Sequence, residues 1–507
     1  MSDIIIGKHT LESLTTGMYS DPFVVFREYI QNATDSIETA YNAGVLAHGE
    51  DNTTITLAPA ERRIVIEDNG LGVPCECAER ILVSIGNSQK SSDSDRGFRG
   101  IGRLSALSYC SKLTFETSFT GEAVATQVSF DARKLSELLM SDSGKDVSVV
   151  DVLKRVYTVK QNKAVKKRHY FRVIMENVEE SSGLTKYDDV FDYLSQNVPV
   201  PYSPEFSWGK EIVSRLKAEG HYERTYNICL SFGNRTTTIY KPYKDVFLVD
   251  KGKNISDRID DINIVKIQQP NGELIAIGWT AKTNYLGSIY DRAIKGIRIR
   301  KGNIMIGDCQ TMNAVFKDVR FNGWSIGEIF AIDTQLVPNA RRDNFEKNTS
   351  YFYLYEQLMN IAANISKDIR SASLKRNAEL AEAVRNGEMI IQNTDAEIRH
   401  GVSRSRKSAI KSKIGMAQDR LTASRPQNES DEYCQTIAFE KLDMLIGQVQ
   451  GATDYKSINM TNSLNKAEKK ILEQVFNVIS KTVDHDTADL LVNSILLNFE
   501  THDKSFS

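Results

Sequence analysis

The 507-residue sequence predicts an α+β protein in three parts: an α/β sandwich over residues 1–205, a mixed α/β domain over 206–350, and a helical region over 351–507. Three observations carry this reading. Helix-like and strand-like patterns alternate up to about residue 205. The segment Val198-Pro-Val-Pro-Tyr-Ser-Pro204 then sets three prolines within seven residues, which interrupts helix and central strand alike and marks a boundary. Beyond residue 350 glycines thin out and long helix-forming runs follow, at Tyr351–Asn386, Thr394–Thr422 and Lys466–Phe499, with a polar break over Arg425–Glu432. Between the two boundaries, β-rich runs such as Tyr226-Asn-Ile-Cys-Leu-Ser-Phe232 and Ile297-Arg-Ile-Arg300 are separated by glycine-containing turns, and these are assigned to the second domain.

Composition excludes several classes. With 41% hydrophobic and 26% charged residues the chain is built to bury cores rather than to stay disordered. No stretch approaches the eighteen or so consecutive apolar residues of a membrane span, and the opening Met-Ser-Asp-Ile-Ile-Ile-Gly-Lys does not resemble a secretory signal, so a cytoplasmic location without membrane attachment is expected. Six cysteines at 75, 77, 110, 229, 309 and 434 form no disulfide framework. The pair Cys75-Glu-Cys77 has no second Cys or His pair at zinc spacing and reads as incidental.

The chemistry begins on Ser20–Ala40, where Ser20 or Asp21 can cap a helix and Pro22 suits its first turn. Phe26, Ile30, Ala33, Ile37 and Ala40 recur at spacings of three and four and form an apolar stripe for the core. Glu28, Asn32 and Asp35, four and three apart, project together from roughly the opposite side. There a carboxylate could orient and deprotonate a water, and an amide oxygen could complete the shell of a phosphate-bound magnesium ion; a solvated polar face is the alternative. Thr53–Leu57 and Arg63–Glu67 look like paired strands, the second running into Asp68-Asn-Gly70-Leu-Gly72. No convincing return strand follows, so the glycines are assigned to letting the backbone approach a ligand and Asp68 to accepting a hydrogen bond from an exocyclic amine such as that of adenine. The run from Gly86 to Gly102, which contains Ser88, Lys90, Gly97, Arg99 and Gly100, precedes the helix-like Arg103–Tyr109. It reads as a lid whose backbone N–H groups and cations meet phosphate oxygens, or else as a surface loop.

In this order the three elements resemble the ATP-binding (Bergerat) fold of the GHKL superfamily, which joins gyrase, heat-shock protein 90, histidine kinases and MutL. Glu28-Tyr-Ile-Gln-Asn32-Ala-Thr-Asp35 is similar to the family's N box, Asp68–Gly72 to the box that binds the adenine amino group, and Gly97-Phe-Arg-Gly100-Ile-Gly102 to its glycine box. The resemblance implies ATP and Mg2+ as cofactors, with Glu28 as general base, Asn32 as magnesium ligand and Asp68 on the base. It implies further nucleotide contacts from Asp35, Gly70, Gly72, Ser88, Lys90, Gly97, Arg99, Gly100 and Gly102. The family often places a Thr on a later strand beside the adenine Asp, and the strand read at Tyr170–Met175 offers none.

Two later segments, Gly296–Asp308 and Asp333–Phe345, resemble the middle domain of heat-shock protein 90, where an arginine reaches the terminal phosphate; Arg342 takes that place here. A surface Arg pair, Arg341 and Arg342, bonded to Asp343 or Glu346 is the alternative. The resemblance implies a homodimeric, ATP-gated clamp with slow turnover that acts on a protein client or partner. It covers residues 1–350, and residues 351–507 are expected to serve dimerisation or partner binding. A nucleic-acid clamp of the microrchidia or MutL type is the alternative, because Arg399, Arg404, Arg406, Lys407, Lys411, Lys413, Arg420 and Arg425 stand against one Asp419 within Arg399–Arg425. Lys163, Lys166, Lys167 and Arg168 form a second basic patch. A non-hydrolysing nucleotide-sensing scaffold is a third reading. No Gly-x-x-x-x-Gly-Lys-Ser/Thr or His-Glu-x-x-His sequence occurs, which disfavours P-loop and zinc-protease chemistry. A histidine kinase would need a phosphoacceptor ahead of the ATP domain, and His9 lies too near the start; a topoisomerase would need a cleavage domain for which the tail leaves little room.

Overall fold

The structure is a computed structural model and describes residues 21–84, 102–140, 148–252, 254–398, 402, 404–426, 429–452, 465–483, 487–488, 490–492 and 494–495. The chain divides into two units, residues 1–367 and 368–507.

In the first unit, helix α1 (Val24–Asn42) buries the apolar stripe found in the sequence, with Phe26, Ile30, Ile37 and Ala40 fully enclosed. It starts after Pro22, because the Asp21 carboxylate accepts from Phe23 N (2.9 Å) and holds Pro22 in the turn before the helix. Its stripe lies in one core with an eight-stranded sheet made of β1 (Thr53–Ala58), β2 (Arg63–Asp68), β3 (Lys112–Ser118), β4 (Val124–Asp131), β5 (Tyr157–Lys163), β6 (Tyr170–Glu176), β7 (Ile228–Phe232) and β8 (Arg235–Thr238). The strand order is β5-β4-β3-β6-β2-β1-β7-β8. Inward Ile55, Ile64, Ile66, Leu113, Phe115, Val128, Phe130 and Val173 alternate with outward polar residues, as a sheet with one wet face requires. On the outer face Arg172 ties three strands together, pairing with Glu67 (2.6 Å) of β2 and Glu116 (2.8 Å) of β3.

The sheet corrects one expectation. Ile228–Phe232, read from the sequence as part of the second domain, instead pairs in parallel with β1 and brings β8 with it. Helices α2 (Cys75–Val83), α3 (Ala132–Met140), α4 (Val149–Val156) and α5 (Tyr187–Asn197) add Ala78, Leu82, Leu135, Val152, Leu153, Val190 and Leu194 to the same core.

A second sheet, in order β13-β12-β14-β11-β10-β9, comprises β9 (Val246–Asp250), β10 (Ile255–Gln268), β11 (Leu274–Thr283), β12 (Gly296–Lys301), β13 (Ile304–Ile306) and β14 (Ile326–Ala331). With α6 (Trp208–Ala218) it packs around Trp279, Phe206, Tyr243 and Phe330. Within this sheet lies a wholly buried ionic centre. Glu328 on β14 is paired with Arg300 and with Lys241 (2.7 Å), and it accepts from Tyr202 Oη (2.6 Å), which in turn accepts from Trp279 Nε1 (2.8 Å). Burial alone would raise the Glu328 carboxyl, but Arg300 and Lys241 reverse this and hold it down at about 2.

Helix α7 (Thr349–Ile398) runs from the first unit into the second, which adds α8 (Arg404–Ala423), α9 (Glu429–Gly451) and α10 (Lys466–Thr482). Ile410, Ile414, Ala417 and Leu421 of α8 share a buried cluster with Ala438, Leu442, Leu445 and Val449 of α9, each set spaced by four, three and four residues. The break between α8 and α9 falls within the polar stretch expected to interrupt the tail. Among the described residues no helix is long and apolar enough to cross a membrane.

Candidate nucleotide site

Glu28 lies one turn into α1 and is 9% exposed. Its side chain is enclosed on three sides. The backbone of Gly102, at the start of a 3-10 stretch over Gly102–Ser108, comes so close that a β-carbon there would overlap Glu28 Oε2, so any side chain would have to push the carboxylate aside. Arg27 Nη2 stands 3.6 Å from Glu28 Oε1, and Arg342 Nε also stands 3.6 Å from it, both guanidiniums largely buried. Neither reaches hydrogen-bond distance, and Glu28 Oε1 is a buried carboxylate oxygen without a hydrogen-bond partner. A buried acceptor left open costs free energy, and catalytic sites are where proteins keep such groups. It can take a hydrogen bond, and then a proton, from a water.

Arg342 reaches this position from a tight loop in which Val337 O accepts from Glu346 N (2.8 Å) and Asn339 O accepts from Arg342 N (3.0 Å). Its own backbone is left-handed, at φ 58°, a conformation uncommon for a residue with a side chain. Arg27 steadies the same loop by donating from Nη2 to Arg341 O (3.3 Å). The reading in which Arg341 and Arg342 form only a surface pair is therefore corrected: Arg342 is a largely buried partner of Glu28.

Asp68 ends β2 and is 3% exposed. Its Oδ1 accepts from Gly70 N (2.9 Å), which folds the turn back, and the Gly70 backbone lies directly against Ser36 of α1. Gly72, at φ +74°, presses on the Ser118 carbonyl of β3, where any side chain would collide. The Asp68–Gly72 turn is thereby wedged between α1 and β3, next to the helix that carries Glu28, Asn32 and Asp35. Asp35 is buried and Asn32 half-buried on that helix. No group of three or more His, Cys, Asp or Glu side chains is gathered for a metal among the described residues. The Asn32 amide oxygen is the type of donor that could complete the shell of a phosphate-carried magnesium ion.

Ser88, Lys90, Gly97, Arg99 and Gly100 lie outside the described residues. Arg103–Tyr109, read as helix-like, is the 3-10 stretch, and it packs on α1, where Tyr29 Oη donates to Arg103 O (2.9 Å).

The structure adds residues that the sequence did not single out. Thr117 of β3 accepts from Val73 N (2.8 Å) and donates to Tyr170 O (3.2 Å), so a threonine does flank the Asp68–Gly72 turn, on β3 rather than on the Tyr170–Glu176 strand. His169 Nδ1 lies 2.7 Å from Gly70 O. Tyr193 of α5 is half-buried, its ring centroid 5.5 Å from that of Phe23, and desolvation pushes its hydroxyl well up.

Residues 19–154 match the family described as "Histidine kinase-, DNA gyrase B-, and HSP90-like ATPase". No curated protein matches the chain. The matched stretch contains α1, the Asp68–Gly72 turn and β3, while His169, Tyr193 and the loop of Arg341 and Arg342 lie outside it. The match supports a GHKL-type ATPase domain in residues 19–154 and, with it, an ATP-binding, nucleotide-dependent function.

The basic stretch over Arg399–Arg425 is partly engaged inside the second unit. Arg406 pairs with Glu397 (2.6 Å) and Lys407 Nζ donates to Ala452 O, while Lys413 and Arg420 point outward. In the other basic patch, Arg168 pairs with Glu67 (3.2 Å).

Proposed function

We propose that the protein is an ATP-hydrolysing conformational clamp of the heat-shock protein 90 type. ATP would sit along α1 with its base toward Asp68, its magnesium ion toward Asn32 and its terminal phosphate between Glu28 and Arg342. The single observation that supports this best is the approach of Arg342 to Glu28, 3.6 Å apart and 314 residues distant in sequence. A guanidinium brought from the second domain onto a carboxylate of the first is what phosphoryl transfer needs: one group to activate water and one to neutralise the charge that develops on the phosphate. It also makes hydrolysis depend on how the two domains are seated, which is how a nucleotide becomes a control of shape. Slow turnover, a homodimer assembled through residues 351–507 and a polypeptide client are parts of the same reading. The engagement of Arg406 and Lys407 inside the second unit weighs against a clamp on nucleic acid through Arg399–Arg425.

The test is ATP affinity and turnover of the purified protein with magnesium. Glu28→Ala is expected to keep ATP affinity and lose turnover by about a hundredfold or more, and Asp68→Asn to lose affinity. A wild type that binds ATP without hydrolysing it, with Glu28→Ala indistinguishable, would leave the scaffold reading in place. Steeply salt-dependent duplex binding that disappears when Lys413 and Arg420 are neutralised would favour the nucleic-acid clamp.

A further inference from the structure

The loop that carries Arg342 is held at its root and at its tip by one hairpin. That hairpin is β12 and β13, closed by Gly302 and Asn303, both at positive φ (57° and 60°), the geometry of a two-residue turn that keeps its strands in tight register. At the root, Lys301 ends β12 and its ammonium donates to two consecutive carbonyls, Ile332 O (3.1 Å) and Asp333 O (2.7 Å). The opposite edge of the same two residues is fixed by Ile275 O, which accepts from Ile332 N (2.9 Å) and Asp333 N (3.1 Å). Asp333 O also accepts from Leu336 N (3.0 Å), so the first turn of the loop starts on the carbonyl that Lys301 holds. At the tip, Gly307 N, one residue past β13, donates to Arg342 O (2.8 Å). Both ends of the segment from Asp333 to Arg342 therefore hang on the hairpin.

The hairpin is in turn fastened to the first domain. Arg298 and Arg300 lie on the side of β12 opposite Lys301, as strand alternation requires, and both are almost completely buried. Arg300 donates to Gln196 O (2.7 Å) and Arg298 to Gln196 Oε1 (3.1 Å), at the carboxy-terminal end of α5, while Arg300 is paired with Glu328 behind it. A single strand thus reads the position of α5 on one side and sets the root of the arginine loop on the other.

We propose that Lys301 is a positioning residue for ATP hydrolysis, fixing the loop so that Arg342 meets Glu28. The proposal rests on the ATPase reading and goes beyond it. Lys301 lies outside the pocket and touches neither Glu28 nor Arg342, so its effect passes through the loop. An apolar side chain there leaves two carbonyls without their cationic donor and lets the loop shift, and small misplacements of a catalytic group cost large factors in rate.

The experiment compares wild type, Lys301→Met, Lys301→Arg and the surface control Lys266→Met in steady-state ATP hydrolysis with magnesium. The expected result for Lys301→Met is a kcat lower by about tenfold or more with KM for ATP within about twofold, because Asp68 and α1 are untouched. Lys301→Arg, which can still donate to both carbonyls, is expected to recover most of the rate, and Lys266→Met to match wild type. Amide hydrogen exchange gives a second readout: in Lys301→Met the amides of Arg342 and Glu346 should exchange faster, with β10 and β11 unchanged. A Lys301→Met protein with wild-type kcat, a loss that Lys301→Arg does not repair, or kcat and KM falling away together would overturn the positioning role. A wild type without turnover would overturn the ATPase reading as well, so the two failures are distinguishable.

Discussion

At the scale of single residues, the account turns on groups held where they pay a cost. Glu28 Oε1 is buried without a hydrogen bond, Arg342 is left-handed, and Gly102 has no room for a methyl group. Gly102→Ala is expected to push the Glu28 carboxylate aside and lower ATP turnover by about tenfold or more, at a stability cost of about 1–3 kcal/mol that urea denaturation would report. The ionic centre of the second sheet makes a different prediction. Removing the shared anion leaves Arg300 and Lys241 buried together without a counter-charge, so Glu328→Gln should destabilise the protein by about 3–5 kcal/mol. Acid should act on the same centre. Glu328 lies at about 2, below its ordinary 4.5, so its contribution is complete above pH 4.5 and is lost as pH falls toward 2. That difference corresponds to about 3 kcal/mol. Lys241 runs the other way. Burial brings it down to about 8 from 10.5, so the folded state sheds its proton first and stability rises with pH across that interval. Urea midpoints measured between pH 2 and 10 would show both limbs, and Glu328→Gln should remove the acid one.

At the scale of elements, α1 carries the design. Its apolar stripe seals the core, Glu28 meets Arg342 and the Gly102 backbone, and Arg27 and Glu38 reach distant segments, Arg27 at Arg341 O and Glu38 at Arg224 and Tyr226. A helix with functions on so many faces tolerates little, and Ile30→Ala should cost about 2–5 kcal/mol. The stripe was legible in the sequence because it follows helical spacing. The long-range contacts of Arg27, Glu28 and Glu38 were not, because their partners lie far away in the chain and periodicity carries no information about them. Strand β12 shows a related limit. Ile297-Arg-Ile-Arg300 reads as a strand with one apolar and one wet face, yet the arginine face is buried, its charge absorbed by Glu328 and its donors by Gln196 and Asn303. Alternation announces a strand; only the fold decides which face meets water.

At the scale of the whole molecule, the sequence was most informative where chemistry and backbone coincide. The long helices after residue 350 were visible because composition alone distinguishes them, whereas Gly70, Gly72 and Gly102, read as approaching a ligand, lie in the structure against Ser36, Ser118 and Glu28. The assignment of Ile228–Phe232 missed because a parallel pairing with β1 joins strands some 170 residues apart, across the proline boundary. Thr117 escaped because it reaches the turn from another strand of the sheet, not from the segment where a threonine was sought. The central claim, that one carboxylate and one arginine from separate domains act together on ATP, is tested most directly by a double-mutant cycle on single-turnover hydrolysis. Wild type, Glu28→Ala, Arg342→Ala and the double variant would be compared at saturating ATP and magnesium. The expected result is strong non-additivity, with each single variant slowed at least about a hundredfold and the double variant no slower than the worse single one. An Arg342→Ala protein that hydrolyses ATP at the wild-type rate, or losses that simply multiply, would contradict it.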